Sequence, residues 1–207
     1  MALNSHRGSD LGALQLARAL ARSLSAPLHL NTVTRLLVDL NRSIGHPRLF
    51  SEFSSGLDPA ERATLLERHY FPYRKGIESW IERQVRRRHQ VVHVGIHSFA
   101  PEIGRRTRTA DLGLLYDPSR RSEQVFCRTW QTALGAVDPP LRVRRNYPYL
   151  GKADGLTTYL RTLFGPQQYL GIELEANQAM LATTPDRRRV AQSVSESLRP
   201  SIHGEGD

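Results

Sequence analysis

The segment Val91-Val92-His93-Val94-Gly95-Ile96-His97-Ser98-Phe99-Ala100-Pro101 constrains this chain more than any other. A branched apolar run of this length reads as a buried strand. It stops abruptly and delivers a histidine, a serine and an aromatic ring to its carboxyl end. Open α/β sheets keep their chemistry at that end of their strands, and histidine there is a metal ligand or a general base. Two other segments share the character. Residues 35–42, Arg35-Leu36-Leu37-Val38-Asp39-Leu40-Asn41-Arg42, and residues 169–175, Tyr169-Leu170-Gly171-Ile172-Glu173-Leu174-Glu175, are apolar runs interrupted or ended by charged groups.

The surrounding pattern alternates helix and strand. Ser9 and Asp10 precede an amphipathic helix built on Leu11, Leu14, Leu16, Leu20 and Leu24. Short strands are expected over residues 28–30 and 34–40, and a loop over residues 45–56. A helix starts at Asp58-Pro59 and is broken or kinked at Pro72. Strands follow at residues 91–96, 110–116, 141–144 and 169–174, with helices at 122–134 and 185–198. Residues 146–158, rich in Tyr, Gly and Thr, read as a loop over a site in which Tyr147, Tyr149 and Asp154 can meet a substrate. The pattern predicts a three-layer α/β/α domain with a mostly parallel central sheet. It spans residues 1–199, with a frayed tail over residues 200–207.

With 207 residues the chain can build one good core. A single cysteine, Cys127, excludes an internal disulfide framework and fits a reducing cytoplasm, the compartment expected here. No apolar stretch is long enough for a membrane helix, and residues 1–10 lack a signal-peptide core. The formal charge is +9, with arginine triplets at Arg86-Arg87-Arg88 and Arg187-Arg188-Arg189. Without interleaved aromatics or a nucleic-acid module, that charge is expected to form a solvated surface rather than a nucleic-acid interface.

Asn41 and Arg42 at a strand end place an amide beside a guanidinium, which suits a carboxylate; an Asp39–Arg42 ion pair is the structural alternative. Arg35 adds a positive group able to polarise a carbonyl. His97 is read either as a site residue or as a core histidine bonded to a backbone carbonyl. Glu173 and Glu175 share one strand face by the two-residue period, so one of them can serve as a base, or the pair can face outward.

Taken together, Asp10-Leu11-Gly12-Ala13, Thr34-Arg35-Leu36-Leu37-Val38-Asp39-Leu40-Asn41-Arg42, Ile96-His97-Ser98-Phe99-Ala100-Pro101 and Gly171-Ile172-Glu173-Leu174-Glu175 resemble the N-formylglutamate amidohydrolase family. That family is similar to the zinc carboxypeptidases in fold and site logic. The resemblance implies a zinc-exopeptidase-like fold with His97 as a zinc ligand, Asn41 and Arg42 as the clamp on a substrate carboxylate, Arg35 as carbonyl polariser and Glu173 as base. It implies hydrolysis of N-formyl-L-glutamate, or a similar small anionic N-acyl amino acid, to formate and glutamate. The family's first strand ends in a Cys-Glu-His-like segment that should supply two more zinc ligands. That segment has no match here, and His6 does not correspond to it. Two expectations follow: a chain whose N-terminal strand lies outside this sequence, or a member that binds a carboxylate without hydrolysis.

Overall fold

A computed structural model describes residues 7–203, with side chains to residue 200; the expectations for His6 and for residues 204–207 lie outside the described residues. Four strands form the central sheet in the order β1-β6-β4-β5: β1 (Val91–Phe99), β4 (Leu112–Leu115), β5 (Val143–Arg145) and β6 (Tyr169–Asn177). β1 runs parallel to β6 and β4 parallel to β5, while β4 and β6 are antiparallel, so the sheet is mixed. A two-stranded hairpin, β2 (Glu102–Ile103) and β3 (Arg106–Thr107), follows β1.

Helices cover both faces. On one side α1 (Ala13–Ser23), α4 (Arg121–Val137) and α6 (Thr184–His203) pack on Leu170, Ile172 and Leu174, with Trp130, Cys127 and Leu134 fully buried between them. Burial pushes the Cys127 thiol up, with the Glu123 charge adding to it, which leaves it an inert core residue. On the other side α3 (Phe71–Arg86) and α5 (Leu156–Leu163) enclose a smaller cluster of Ile77, Ile81, Val91, Leu160, Phe164 and Tyr169.

Local chemistry accounts for most element ends. Asp58 caps α2 (Pro59–Leu65) through a reciprocal capping box with Glu61. Pro72 does not separate two helices. A five-residue π turn, Leu66–Tyr70, carries the chain from α2 into α3, and Pro72 falls directly after that turn, at the start of α3. α6 continues through Pro200 to His203, past the expected end of the folded region.

Three expectations were wrong in an informative way. Residues 28–30 and 34–40 are not strands. Over 35–40 burial does alternate, with Leu36, Val38 and Leu40 inward, but the backbone bonds go to turns: Leu37 N–H to Thr34 O, Asp39 N–H to Leu49 O, and Arg42 N–H to Asp39 O. The two-residue period reports a buried side, not a ladder partner. Neither Ser9 nor Asp10 caps α1. Gly12 is its N-cap at φ 81°, and a Cβ there would lie 2.7 Å from Leu181 Cβ. Residues 146–158 are not loop throughout, because α5 begins at Leu156.

Candidate active site

The parallel register of β1 and β6 sets the site. His97 pairs with Glu175 and Gly95 with Glu173, so the histidine and both carboxylates share one face. Gly95 lies between them: a Cβ there would be 3.5 Å from His97 Nε2 and 3.5 Å from Glu173 Cγ. One cleft of about 1200 Å³ is lined by this face together with Asp10, Arg35, Asn41, Arg42, Arg108 and Tyr149.

Asp10 holds His97. Its Oδ2 accepts from His97 Nδ1 at 2.8 Å, and its Oδ1 accepts from Arg35. Ser98 Oγ donates to Leu11 O at 2.9 Å, tying the end of β1 to the same turn. Burial alone would lower the His97 pKa, but the bond to Asp10 and its charge raise it to about 10, with Glu173 and Glu175 adding to the effect. Burial of Asp10 is likewise outweighed by His97 and Arg35, which keep its carboxyl below the usual range. Both shifts run toward the charged forms of the pair, and because the bond to Asp10 uses Nδ1, the Nε2 edge is left for a ligand. His93, two residues earlier, is different: burial drives it down to about 4, and its Nδ1 meets Tyr169 Oη at 2.8 Å.

The two glutamates also differ. Glu173 Oε1 accepts from Thr157 Oγ1 at 3.1 Å. Glu175 is 7% exposed, and its Oε2 is buried without a hydrogen-bond partner. Burial pushes its carboxyl up to about 7, with the His97 charge opposing and the Asp10 and Glu173 charges adding.

The arginines and the amide are partly engaged. Asn41 Oδ1 accepts from Leu156 N–H at 2.7 Å, capping α5 across the fold and leaving the amide NH₂ as its donor. A Cβ on Gly155 would lie 3.2 Å from Asn41 Oδ1 and 3.5 Å from Glu173 Oε1, so clamp and carboxylate are neighbours. Arg42 donates to Asp154 O at 2.7 Å and lies 3.8 Å from Asp39 Oδ2. Asp154 takes its own bonds from Ser43 N–H and Oγ, so it supports the clamp. Arg35 is bound to Asp10 and so lies beside His97.

The family profile of N-formylglutamate amidohydrolase matches residues 1–182. The chain belongs to the N-formylglutamate amidohydrolase family. Its structure is similar to that of the gene product Atu2144 from Agrobacterium tumefaciens, with a TM-score of 0.83 and 29% sequence identity over 97% of this chain and 80% of that one. It also shares its fold with an N-formylglutamate amidohydrolase from Ralstonia eutropha JMP134, with a TM-score of 0.72 and 17% identity over 94% of this chain and 82% of the other. A comparison with curated protein sequences finds no match.

Membership in this amidohydrolase family raises the question of zinc. Catalytic zinc takes three protein ligands plus water. Among the described residues no three His, Cys, Asp or Glu side chains gather closely enough to hold a metal. His97 offers one nitrogen and Glu175 one unpartnered oxygen, which is short of a catalytic set. The described donors therefore do not fit a catalytic zinc. Among the described residues no helix is long and apolar enough to cross a membrane.

Sequence reasoning named His97, Glu173, Arg35, Asn41 and Arg42, and all five line the cleft. It missed the part played by Asp10, which looked like a helix cap because carboxylates are common there. The two-residue period put Glu175 beside Glu173 as a possible base, and only the resemblance to the family selected Glu173 of the two. Nothing local marked Arg108.

Proposed function

We propose that this cleft hydrolyses the amide bond of N-formyl-L-glutamate or a similar acidic N-acyl amino acid, giving formate and glutamate. The observation that carries the reading is that an anchored histidine, two carboxylates and the Asn41–Arg42 pair line one cleft at the carboxyl ends of two parallel strands. In this reading the Asn41 amide NH₂ and the remaining Arg42 N–H groups hold the α-carboxylate. A carboxylate of the β6 pair takes a proton from water as its oxygen attacks the formyl carbon. The C–N bond then breaks, and the same carboxyl returns the proton to the leaving amine.

Glu173 was the expected base. Glu175 suits the role better, because it pairs in register with His97 and one of its oxygens has no partner, whereas Glu173 is held by Thr157. Arg35, the expected polariser, is bound to Asp10, so this reading gives the polarising role to the His97 Nε2 edge. No step here passes through zinc.

Formate release from N-formyl-L-glutamate tests the reading, measured on the chain as purified, with added zinc, and with chelator. Glu175→Gln should lower the rate about 10²–10⁴-fold. Wild-type activity that persists in Glu175→Gln and falls in Glu173→Gln would return the base to Glu173. A second reading, carboxylate binding without hydrolysis, is favoured by the shortage of metal donors among the described residues. It predicts N-formylglutamate binding that chelator leaves unchanged, with no formate under any of the three conditions.

A further inference from the structure

Several arginines of this fold end on carboxylates, while others, Arg74 and Arg120 among them, end on backbone carbonyls. Arg35 meets Asp10, Arg142 meets Asp111, Arg161 meets Glu123 and Arg189 meets Asp138. Arg108 lines the same cleft as His97, yet among the described residues it has no ion-pair partner. Its guanidinium lies over two rings, 5.6 Å from the Phe99 centroid and 5.0 Å from that of Tyr149.

The backbone fixes its base. Arg108 N–H donates to Pro101 O at 2.7 Å, and Arg108 O accepts from Asn177 Nδ2 at 3.4 Å. NH1 donates to Tyr149 Oη at 3.1 Å. Phe99 is 2% exposed and Tyr149 46% exposed, so one ring is a fixed floor and the other a wall open to the cleft. The bond to Tyr149 Oη uses one N–H of NH1, which leaves Nε and the remaining N–H groups of the guanidinium as donors for a carboxylate.

The spacing fits a particular ligand. Phe99 follows His97 by two residues on the same strand face, a rise of about 7 Å. The formyl carbon and the side-chain carboxyl carbon of N-formylglutamate are five bonds apart, about 6 Å when extended. We infer that Arg108, held between Phe99 and Tyr149, binds the side-chain carboxylate of an acidic N-acyl amino acid while Asn41 and Arg42 hold the α-carboxylate. This rests on the hydrolase reading above and assigns to Arg108 the selection of a substrate with a second carboxylate.

The test compares binding of N-formyl-L-glutamate with that of N-formyl-L-glutamine, its isostere with an uncharged side chain, by calorimetry, with formate release followed in parallel. Wild type should favour the glutamate by about tenfold or more. Arg108→Gln should bring the ratio close to one, and Arg108→Lys should recover only part of it, because lysine is a point charge that stacks poorly. Thermal melts of each variant identify any loss that comes from unfolding, and Tyr149→Phe, which removes one hydroxyl, should weaken the ratio in a folded protein. A preference that survives in folded Arg108→Gln overturns the assignment, as does a wild type that binds both ligands equally. In those two cases formate release shows whether the hydrolase reading still stands. A preference lost in Arg108→Gln without formate from any variant keeps Arg108 and removes hydrolysis. No binding of either ligand overturns both.

Discussion

The two faces of the central sheet are built from alternate residues of the same strands and have opposite characters. On the face under α1, α4 and α6, β6 presents Leu170, Ile172, Leu174 and Ala176, and β1 adds Val92, Val94 and Ile96. On the other face the same strands present His93, Gly95 and His97 beside Tyr169, Gly171, Glu173 and Glu175. The first face is stabilised by burial and close packing, which are non-directional. The second holds charge in low dielectric, where every group needs a partner. Tyr169, His97 and Glu173 have partners, and one Glu175 oxygen does not. A period of two therefore separates the stability of this protein from its chemistry.

Substitutions can break that division. The largest expected loss is on the polar face. Arg161, 5% exposed at its side chain, holds the fully buried Glu123 and also donates to Gly151 O and Gly171 O. Arg161→Met should cost about 3–5 kcal/mol by taking the guanidinium away from the buried Glu123, read as a fall in the denaturation midpoint at unchanged slope. On the apolar face Ile172 is fully buried. Ile172→Ala should cost about 2–5 kcal/mol, while the affinity for N-formylglutamate, measured well below the melting temperature, stays within a few-fold of wild type. A much larger loss of affinity would mean that the two faces are mechanically coupled.

Glu175 sharpens the comparison through pH. Its folded pKa of about 7 stands above the ordinary 4.5. Between those values the folded chain binds more protons than the unfolded one, so this group's contribution to stability declines as pH rises from 4.5 through 7. The decline is roughly 3 kcal/mol at most. The groups that face it are Asp10, Glu173, His97 and Arg35. Melts at pH 5 and pH 7.5 should show Glu175→Gln gaining on wild type at the higher pH, and equal shifts at both would remove the buried-carboxylate account. The smallest effect lies away from both faces. Asp58→Ala removes the capping box of α2 and should cost about 1 kcal/mol with no change in ligand affinity.

Legibility followed the same division. Runs whose period matched a buried side were read correctly at β1, β6, α4 and α6, because apolar patterning is a local signal. Residues 34–40 had the right alternation and the wrong bonding, since a buried side does not imply a neighbouring strand. Asp10 was visible as a carboxylate before a helix, but its partner His97 is 87 residues away in sequence. The Arg108 stack depends on Phe99 in β1 and on Tyr149, 41 residues on. Neither ring has any local relation to the arginine.

The sequence alone determined the layered class, the strands that carry His97 and the two glutamates, and the family to which these motifs belong. It did so because strand period and short motifs are local properties of a chain. Tertiary structure decided which glutamate faces His97 in register, which arginines already hold a carboxylate, and that Arg108 reaches the cleft between Phe99 and Tyr149. Those are outcomes of strand register and long-range pairing, which no local pattern encodes.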